Sequence, residues 1–253
     1  MRLFVRPPVT VLLAVSLVVP TALVLPTISA STPQPQPVSP EVQSLPLRGV
    51  DRAALRATDV PTAAALRQTG RVRPVVLTRE LLTQDYRMLA VTWDATSARD
   101  ALVSARTRTD GRWTDWIEIH VMHDLESGSP NGRLGTEPYW AGDSDGVQVR
   151  VDAVGRRTPT DLRIDLIEPG TSPADAAITD PPPAGTAFAD DDHPNIVTRA
   201  EGGANEALRD KRLDMSRTIK AAFVHHTAGS NSYGPSEGPA VVRGLYSYYV
   251  GSL

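Results

Sequence analysis

The stretch Val147–Val154, of sequence VQVRVDAV, decides the fold class of most of this chain. Apolar side chains occupy its odd-numbered positions up to Ala153, and polar or charged side chains occupy the even-numbered positions between them. Because successive side chains of a β-strand point to opposite faces, this alternation predicts a strand with one buried face and one wet face. The sequence therefore predicts a half-buried β-sheet.

The same period of two recurs on both sides of this stretch, within residues 71–170. Asp-Gly dipeptides at 110–111 and 145–146 favour tight hairpin turns, because glycine accepts the positive φ angles that such turns require. The acidic stretch 143–146 lacks the further oxygen ligands of a calcium loop, so we interpret it as a turn. Short antiparallel strands with such turns predict an all-β, sandwich-like domain over residues 71–170. The other expected strands are Tyr86–Trp93, Ala101–Thr109, Trp113–Val121 and Leu162–Ile167.

Residues 1–30 have the pattern of a secretory signal peptide. Two arginines precede the apolar run Val9–Val19, and a cleavage site follows at Ala30. The alternative is a retained membrane anchor, but prolines interrupt the apolar segment before it reaches the roughly 20 residues that a span needs. We expect a secreted, cell-wall-associated protein with no permanent membrane span after signal cleavage.

Composition narrows the classes of partner. The formal net charge is -3 and the sequence has no basic patch, so nothing favours nucleic acid as a partner. The chain has no cysteine, which excludes disulfides and thiolate metal ligands. The sequence also lacks a phosphate-binding glycine loop and a serine nucleophile elbow.

Two proline-rich segments separate the remaining parts of the chain. Residues 31–70 predict an extended tether with a short helix, and residues 171–195 predict a linker stiffened by three consecutive prolines. Residues 196–253 predict a helix near Glu206–Arg212, a strand, and a second helix near Pro239–Val250. This last segment is short for an independent hydrophobic core, since unaided domains below about 70–80 residues are rarely stable.

The motif Ala222–Gly229, of sequence AFVHHTAG, places two histidines on an apolar strand that runs into a glycine-containing loop. Alternation along the strand turns His225 and His226 to opposite faces. Neutral imidazole on a rigid strand is a common metal ligand, whereas the ordinary interpretation of each histidine is a hydrogen-bonded core or surface residue. His120 and His123 lie three apart on an expected strand and would face opposite sides, so we expect no shared ion there.

Four further parts of the sequence flank this motif: Arg199–Glu206, Asn231, Tyr233 and Val241–Tyr246. Together with Phe223–Gly229, they resemble the opening of the zinc-dependent N-acetylmuramoyl-L-alanine amidases related to peptidoglycan recognition proteins. More narrowly, they resemble secreted actinobacterial members, in which a β-rich region precedes the amidase domain. The resemblance implies an α+β protein, in which the all-β, sandwich-like domain is followed by an incomplete α/β amidase domain over residues 196–253.

The resemblance also implies a zinc hydrolase whose partner is peptidoglycan. His225 would be a ligand of Zn²⁺, and three residues would bind the substrate: Thr227, Asn231 and Tyr233. The bond cleaved is the amide between N-acetylmuramic acid and L-alanine of the stem peptide. A catalytic zinc uses three protein ligands, and the family's other two ligands and its catalytic tyrosine have no counterpart here. We therefore expect an incomplete zinc site, no catalytic residue, and a truncated, inactive amidase.

An alternative from another class is a non-catalytic cell-wall-binding protein built on the β-sandwich. Four aromatic residues are candidates for a platform that stacks on sugar rings: Trp113, Trp116, Tyr139 and Trp140. Aromatic residues at strand spacing are more often core residues. Trp113 and Trp116 are three apart, so an extended strand would turn them to opposite faces.

Overall fold

The computed structural model describes residues 34–57, 72–122, 132–178, 197–209, 211, 217–220 and 230–253. Within these residues the protein is mainly β, with ten strands and one α-helix. The strands are β1 (Glu41–Pro46), β2 (Gly49–Val50), β3 (Val72–Leu77), β4 (Leu81–Asp94), β5 (Ala101–Thr109), β6 (Arg112–Trp113), β7 (Ile117–Ile119), β8 (Arg133–Gly135), β9 (Tyr139–Val154) and β10 (Arg163–Glu168). The helix α1 spans Gly238–Ser247.

The strands pair antiparallel, apart from the short parallel pair β2–β3. Hydrogen-bonded neighbours follow one another in the order β1-β10-β4-β9-β3-β2. The strand β5 is outside this order and pairs with β9, β6 and β7. β9 is 16 residues long, so it pairs with β4 through its first half and with β3 and β5 through its second half. One layer thus contains β1, β10, β4 and β8, and the other contains β3, β5, β6, β7 and the second half of β9.

The main hydrophobic core lies between these two layers. Val147, Val149 and Val151 of β9 are fully buried, as the alternation of this strand predicts. Burying each large apolar side chain stabilises the fold by roughly 1.5–3 kcal/mol relative to leaving it exposed. The largest buried side chains of this core are Trp93, Tyr86, Leu89, Ile164 and Leu166.

The other face of the same stretch is not wet, contrary to the prediction. Gln148, Arg150 and Asp152 are all buried. Arg150 donates to both carboxylate oxygens of Asp152, over 2.7 and 2.9 Å, and Gln148 accepts a hydrogen bond from Arg106 of β5. Because β9 is flanked by β3 and β5, polar side chains on this face are covered from both sides and pair with one another.

The two Asp-Gly dipeptides have different roles. Asp110 and Gly111 have φ angles of 50° and 74° and join β5 to β6, which confirms the predicted hairpin turn. The turn predicted at 145–146 is wrong, because both residues lie within β9. A Cβ atom at Gly146 would lie 3.0 Å from the carbonyl oxygen of Leu81 and 3.1 Å from the Cβ of Arg108. Glycine is needed there because three strands approach closely, not because the chain turns.

The segment after residue 196 does not form an α/β amidase domain in its described part, so the α+β fold class is wrong. Instead, α1 packs on the outer face of the layer that contains β4 and β10. Ala240 and Val241 of α1 belong to a second apolar cluster together with Met88, Trp140 and Ile167 of the sheet. The helix therefore buries its apolar side chains against the apolar outer face of the sheet.

A buried ion pair joins α1 to the segment that follows β10. Arg243 is 2% exposed and donates to both carboxylate oxygens of Asp175 over 2.8 Å. Its guanidinium also donates to the carbonyl oxygens of Gly170 and Gly202. Asp175 lies in the 3₁₀ turn Pro173–Ala177, within the segment expected to be a linker. The first part of that segment is therefore packed against the helix.

The expected tether also contributes to the sheet. Glu41–Pro46 forms β1 and pairs with β10 along its whole length, from Glu41 opposite Glu168 to Pro46 opposite Arg163. A 3₁₀ turn follows at Ala54–Arg56. In the described part of the chain, no helix is both long enough and apolar enough to cross a bilayer. The predicted signal peptide, residues 1–30, lies outside the described residues.

Candidate functional site

The candidate site lies on the outer face of the layer formed by β5 and the second half of β9. Arg106 and Gln148 face each other across the β5–β9 pair. Their neighbours along each strand, Ala105 and Val149, point into the main core. Strand alternation therefore turns the side chains of Arg106 and Gln148 away from that core.

A β-bulge brings two tryptophans to the same side of this face. Trp113 pairs with Arg108 of β5, whereas Ile117 pairs with Ala105. Trp113 and Ile117 are four residues apart, whereas their partners Arg108 and Ala105 are three residues apart on β5. The segment from Trp113 to Ile117 therefore contains one extra residue, which defines a β-bulge. The prediction that Trp113 and Trp116 point to opposite faces is wrong, because it assumes an uninterrupted strand.

Both tryptophans contact the same guanidinium group. The Cζ atom of Arg106 lies 5.3 Å from the ring centroid of Trp113 and 5.4 Å from that of Trp116. These distances are within the range of cation–π contacts. Both indole rings remain partly accessible. The indole Nε1 of Trp116 is covered and has no hydrogen-bond partner among the described residues.

Two further side chains hold the guanidinium in place. The Nε of Arg106 donates to Oε1 of Gln148 over 2.8 Å, and its Nη2 donates to Oε1 of Glu80 over 2.9 Å. Gln148 is itself fixed, because its Nε2 donates to the carbonyl oxygen of Thr78 over 2.8 Å. We refer to Arg106, Trp113, Trp116, Glu80 and Gln148 as the Arg106–tryptophan cluster.

A polar cavity of about 770 Å³ lies beside the ion-pair partner of Arg108, and no residue of the cluster lines this cavity. Trp113 lies opposite Arg108, whose Nη1 donates to Oδ2 of Asp145 over 2.7 Å, and Asp145 lines this cavity. The other oxygen of Asp145 is covered and has no partner among the described residues. Tyr86 also lines the cavity, and burial raises the pKa of its hydroxyl, which donates to the Gly146 carbonyl. The hydroxyl of Tyr86 therefore stays protonated and structural.

The other two residues of the expected aromatic platform do not join it. Trp140 is 2% exposed and belongs to the second apolar cluster under α1. Tyr139 packs against the main core. Of the four aromatic candidates, the structure brings together Trp113 and Trp116.

The residues expected from the amidase resemblance are only partly described. His225 and Thr227 lie outside the described residues. Asn231 is exposed, and Tyr233 is 41% exposed at a cleft beside α1. Among the described residues, no three histidine, cysteine or carboxylate side chains lie close enough together to hold a metal ion.

Sequence reasoning missed Arg106, Glu80 and Gln148. A usable signal was present, since Arg106 and Trp113 flank the confirmed turn at 110–111 and strand pairing across a hairpin brings such residues together. Glu80 could not be found in this way, because it lies in the connection between β3 and β4 and its partner Arg106 lies on β5.

Comparison with known proteins gives one result. A family model described as Rv3811 N-terminal galactose-binding domain-like matches residues 34–184. No amidase or peptidoglycan recognition family matches the chain. Searches for similar curated proteins and similar solved structures give no match.

Proposed function

We propose that the β domain of this chain, which belongs to the Rv3811 N-terminal galactose-binding domain-like family, is a non-catalytic carbohydrate-binding module. The family match covers residues 34–184 and includes all ten strands. The family description supports carbohydrate as the class of ligand.

The observation that carries this proposal is the pair of half-buried indole rings around Arg106. An aromatic ring offers a rigid apolar surface at low entropic cost, which suits the C–H face of a pyranose. Arg106 supplies donors and the half-exposed Glu80 supplies an acceptor beside the rings, which suit sugar hydroxyl groups, whereas the buried Gln148 holds Arg106 in position. Carbohydrate recognition requires both elements within one surface, and the cluster contains both.

We further propose that the ligand is a glycan of the cell wall, with peptidoglycan as the partner. The pattern of residues 1–30 supports export to the compartment where such polymers occur. The net charge of -3 provides no general attraction to anionic polymers. Recognition of such a polymer would therefore depend on stacking and hydrogen bonds.

The test is co-sedimentation of the full chain with purified peptidoglycan, together with calorimetry on soluble galactose-containing oligosaccharides. Replacing Trp113 or Trp116 by alanine should weaken binding at least tenfold, because each change removes a stacking surface. Tyr249→Ala is a matched control, since it removes an aromatic ring that is 41% exposed and lies outside the cluster. Equal binding by wild type and both tryptophan variants would contradict the proposal.

A second proposal rests on the motif Phe223–Gly229 and its resemblance to zinc amidases. In this proposal His225 is a zinc ligand, and Thr227, Asn231 and Tyr233 bind peptidoglycan stem peptides. His225 lies outside the described residues, and among the described residues no three metal-binding side chains lie close together, so we derive no catalytic step from this site.

The zinc content of the purified chain tests this second proposal. His225→Ala should lower the zinc retained after dialysis, and His120→Ala is a matched control because His120 is exposed and distant in sequence. Equal zinc content in the wild-type protein and the His225→Ala variant would exclude the assignment. Release of stem peptides from muropeptides by the unmodified chain would contradict the expectation that it is inactive.

A further inference from the structure

An apolar cleft lies between α1, the segment 197–204 and the outer face of the layer that contains β4. Its volume is about 790 Å³, and most of its lining is apolar. Met88 and Trp140 line it from the sheet, and Val241 and Leu245 line it from α1. Small-molecule sites have this range of volume, with apolar walls and a few polar groups that fix the orientation of the ligand.

One of these polar groups has no partner. Trp140 is 2% exposed, and its indole Nε1 has no hydrogen-bond partner among the described residues. Buried N–H groups are almost always hydrogen-bonded, because an unpaired one loses its bond to water without a replacement. An occupant of the cleft that offers an oxygen acceptor would satisfy this donor.

The charges around the cleft restrict the occupant further. Its described lining includes two cationic residues, Arg199 and Arg243, and no carboxylate. Arg243 is held by its ion pair with Asp175. Arg199 is half-exposed, and its guanidinium lies 4.7 Å from the ring centroid of Tyr246, which also lines the cleft. Glu206 accepts a hydrogen bond from Arg199 but does not line the cleft.

We propose that this cleft binds a long-chain aliphatic carboxylate, with an oxygen of its head group accepting a hydrogen bond from Trp140. The apolar walls match an extended hydrocarbon chain, and the flexible side chain of Met88 adapts to its shape. The cationic lining residues tolerate a negative head group and disfavour a positive one. This site is separate from the Arg106–tryptophan cluster, since the two share no residue.

The test is calorimetry of the full chain with two probes of equal chain length, dodecanoate and dodecyltrimethylammonium, both below their micellar concentrations. Dodecanoate should bind at least tenfold more tightly, because it alone carries an acceptor and a negative charge. Trp140→Phe keeps an aromatic ring and removes the N–H group, and it should weaken dodecanoate binding roughly fivefold. It should leave binding of the ammonium probe unchanged.

A second variant keeps the test decisive if Trp140→Phe does not fold. Val242 is 64% exposed and lines the cleft, so Val242→Trp should block the cleft and reduce dodecanoate binding at least tenfold. Val42→Trp is the matched control, because Val42 is 47% exposed on β1 and does not line the cleft. Equal affinity for the two probes, no binding of either, or equal effects of the two tryptophan substitutions would overturn the proposal.

Discussion

The two outer faces of the sandwich differ in the polarity of their side chains. On the β4 and β10 layer, Met88, Ala90 and Ile167 form an apolar surface that α1 covers. On the β5 and β9 layer, Arg106 and Gln148 form a charged and polar surface that carries two half-buried tryptophans. Both faces are built from β-strands, so the outward-facing side chains decide that α1 covers one face while the tryptophans of the other face remain partly exposed.

Two ion pairs, one on each face, differ in burial. The Arg243–Asp175 pair joins α1 to the sandwich, and its side chains are 2% and 15% exposed. The side chains of the Arg106–Glu80 pair are 12% and 51% exposed. Solvent weakens exposed charge pairs, whereas removing one partner of a buried pair leaves a charge without compensation.

The largest effect is expected from Arg243→Met. This change leaves Asp175 without its cation and removes the bonds to three carbonyl oxygens, so the free energy of unfolding should fall by about 3 kcal/mol. Urea unfolding measures this loss, and hydrogen exchange should show faster exchange in α1 than in β9. Arg209→Met is the control, because Arg209 belongs to an exposed pair with Glu206. If both variants lose the same stability, the contrast between buried and exposed ion pairs is wrong.

The same pair predicts the effect of acid. Burial acts to raise the pKa of Asp175, but the hydrogen bond from Arg243, the backbone hydrogen bond from Ser172 and the charge of Arg243 together outweigh it and lower the pKa below its usual value. A carboxylate with a lowered folded-state pKa contributes its full stabilisation above the unfolded-state pKa of about 3.9 and loses it as the pH falls through the lower value. The stability difference between wild type and Arg243→Met should therefore shrink below about pH 4. A constant difference down to pH 2 would contradict this assignment.

An intermediate effect is expected from Gly146→Ala, at the edge of the Arg106–tryptophan cluster. The added methyl group would lie 3.0 Å from the Leu81 carbonyl oxygen and 3.3 Å from the Trp113 ring. Overpacking of this kind typically lowers the free energy of unfolding by about 1–3 kcal/mol. Gly238→Ala is the control, since no atom lies within 4 Å of its added methyl group. Thermal unfolding of both variants gives the comparison, and equal stability would refute the close-approach explanation.

The smallest effect is expected from Glu80→Gln. The charge of Glu80 is half-exposed, so its loss should change the free energy of unfolding by less than about 1 kcal/mol. Glutamine keeps an oxygen acceptor for Arg106, so glycan binding should change less than in the tryptophan variants. Urea unfolding and calorimetry measure the two effects. A loss as large as that of Arg243→Met would remove the distinction between exposed and buried ion pairs.

Local patterns predicted the strands well where side chains alternate without interruption. The bounds of β5 match the expected segment Ala101–Thr109, and the Asp110-Gly111 turn joins it to β6 as expected. Both depend on interactions between residues close in sequence. The bulge between Trp113 and Ile117 could not be predicted in this way, because the extra residue is visible only in the pairing with β5.

The candidate site shows the same limit. The aromatic residues were recognised as candidates from their type, but the grouping of Trp113 with Trp116 depends on the bulge. The burial of Trp140 depends on α1, which lies about 100 residues further along the chain. Spacing along one strand cannot report a contact made by a distant segment.

The sequence by itself determined the β character of residues 71–170, because alternation of apolar and polar side chains is a local property of the chain. It also determined the absence of disulfides, through composition. Only the tertiary structure decided that α1 completes the sandwich and that Arg106 lies between two tryptophans. The reason is physical: an apolar helix face and an arginine each have many suitable partners in a sequence, and packing in three dimensions selects among them.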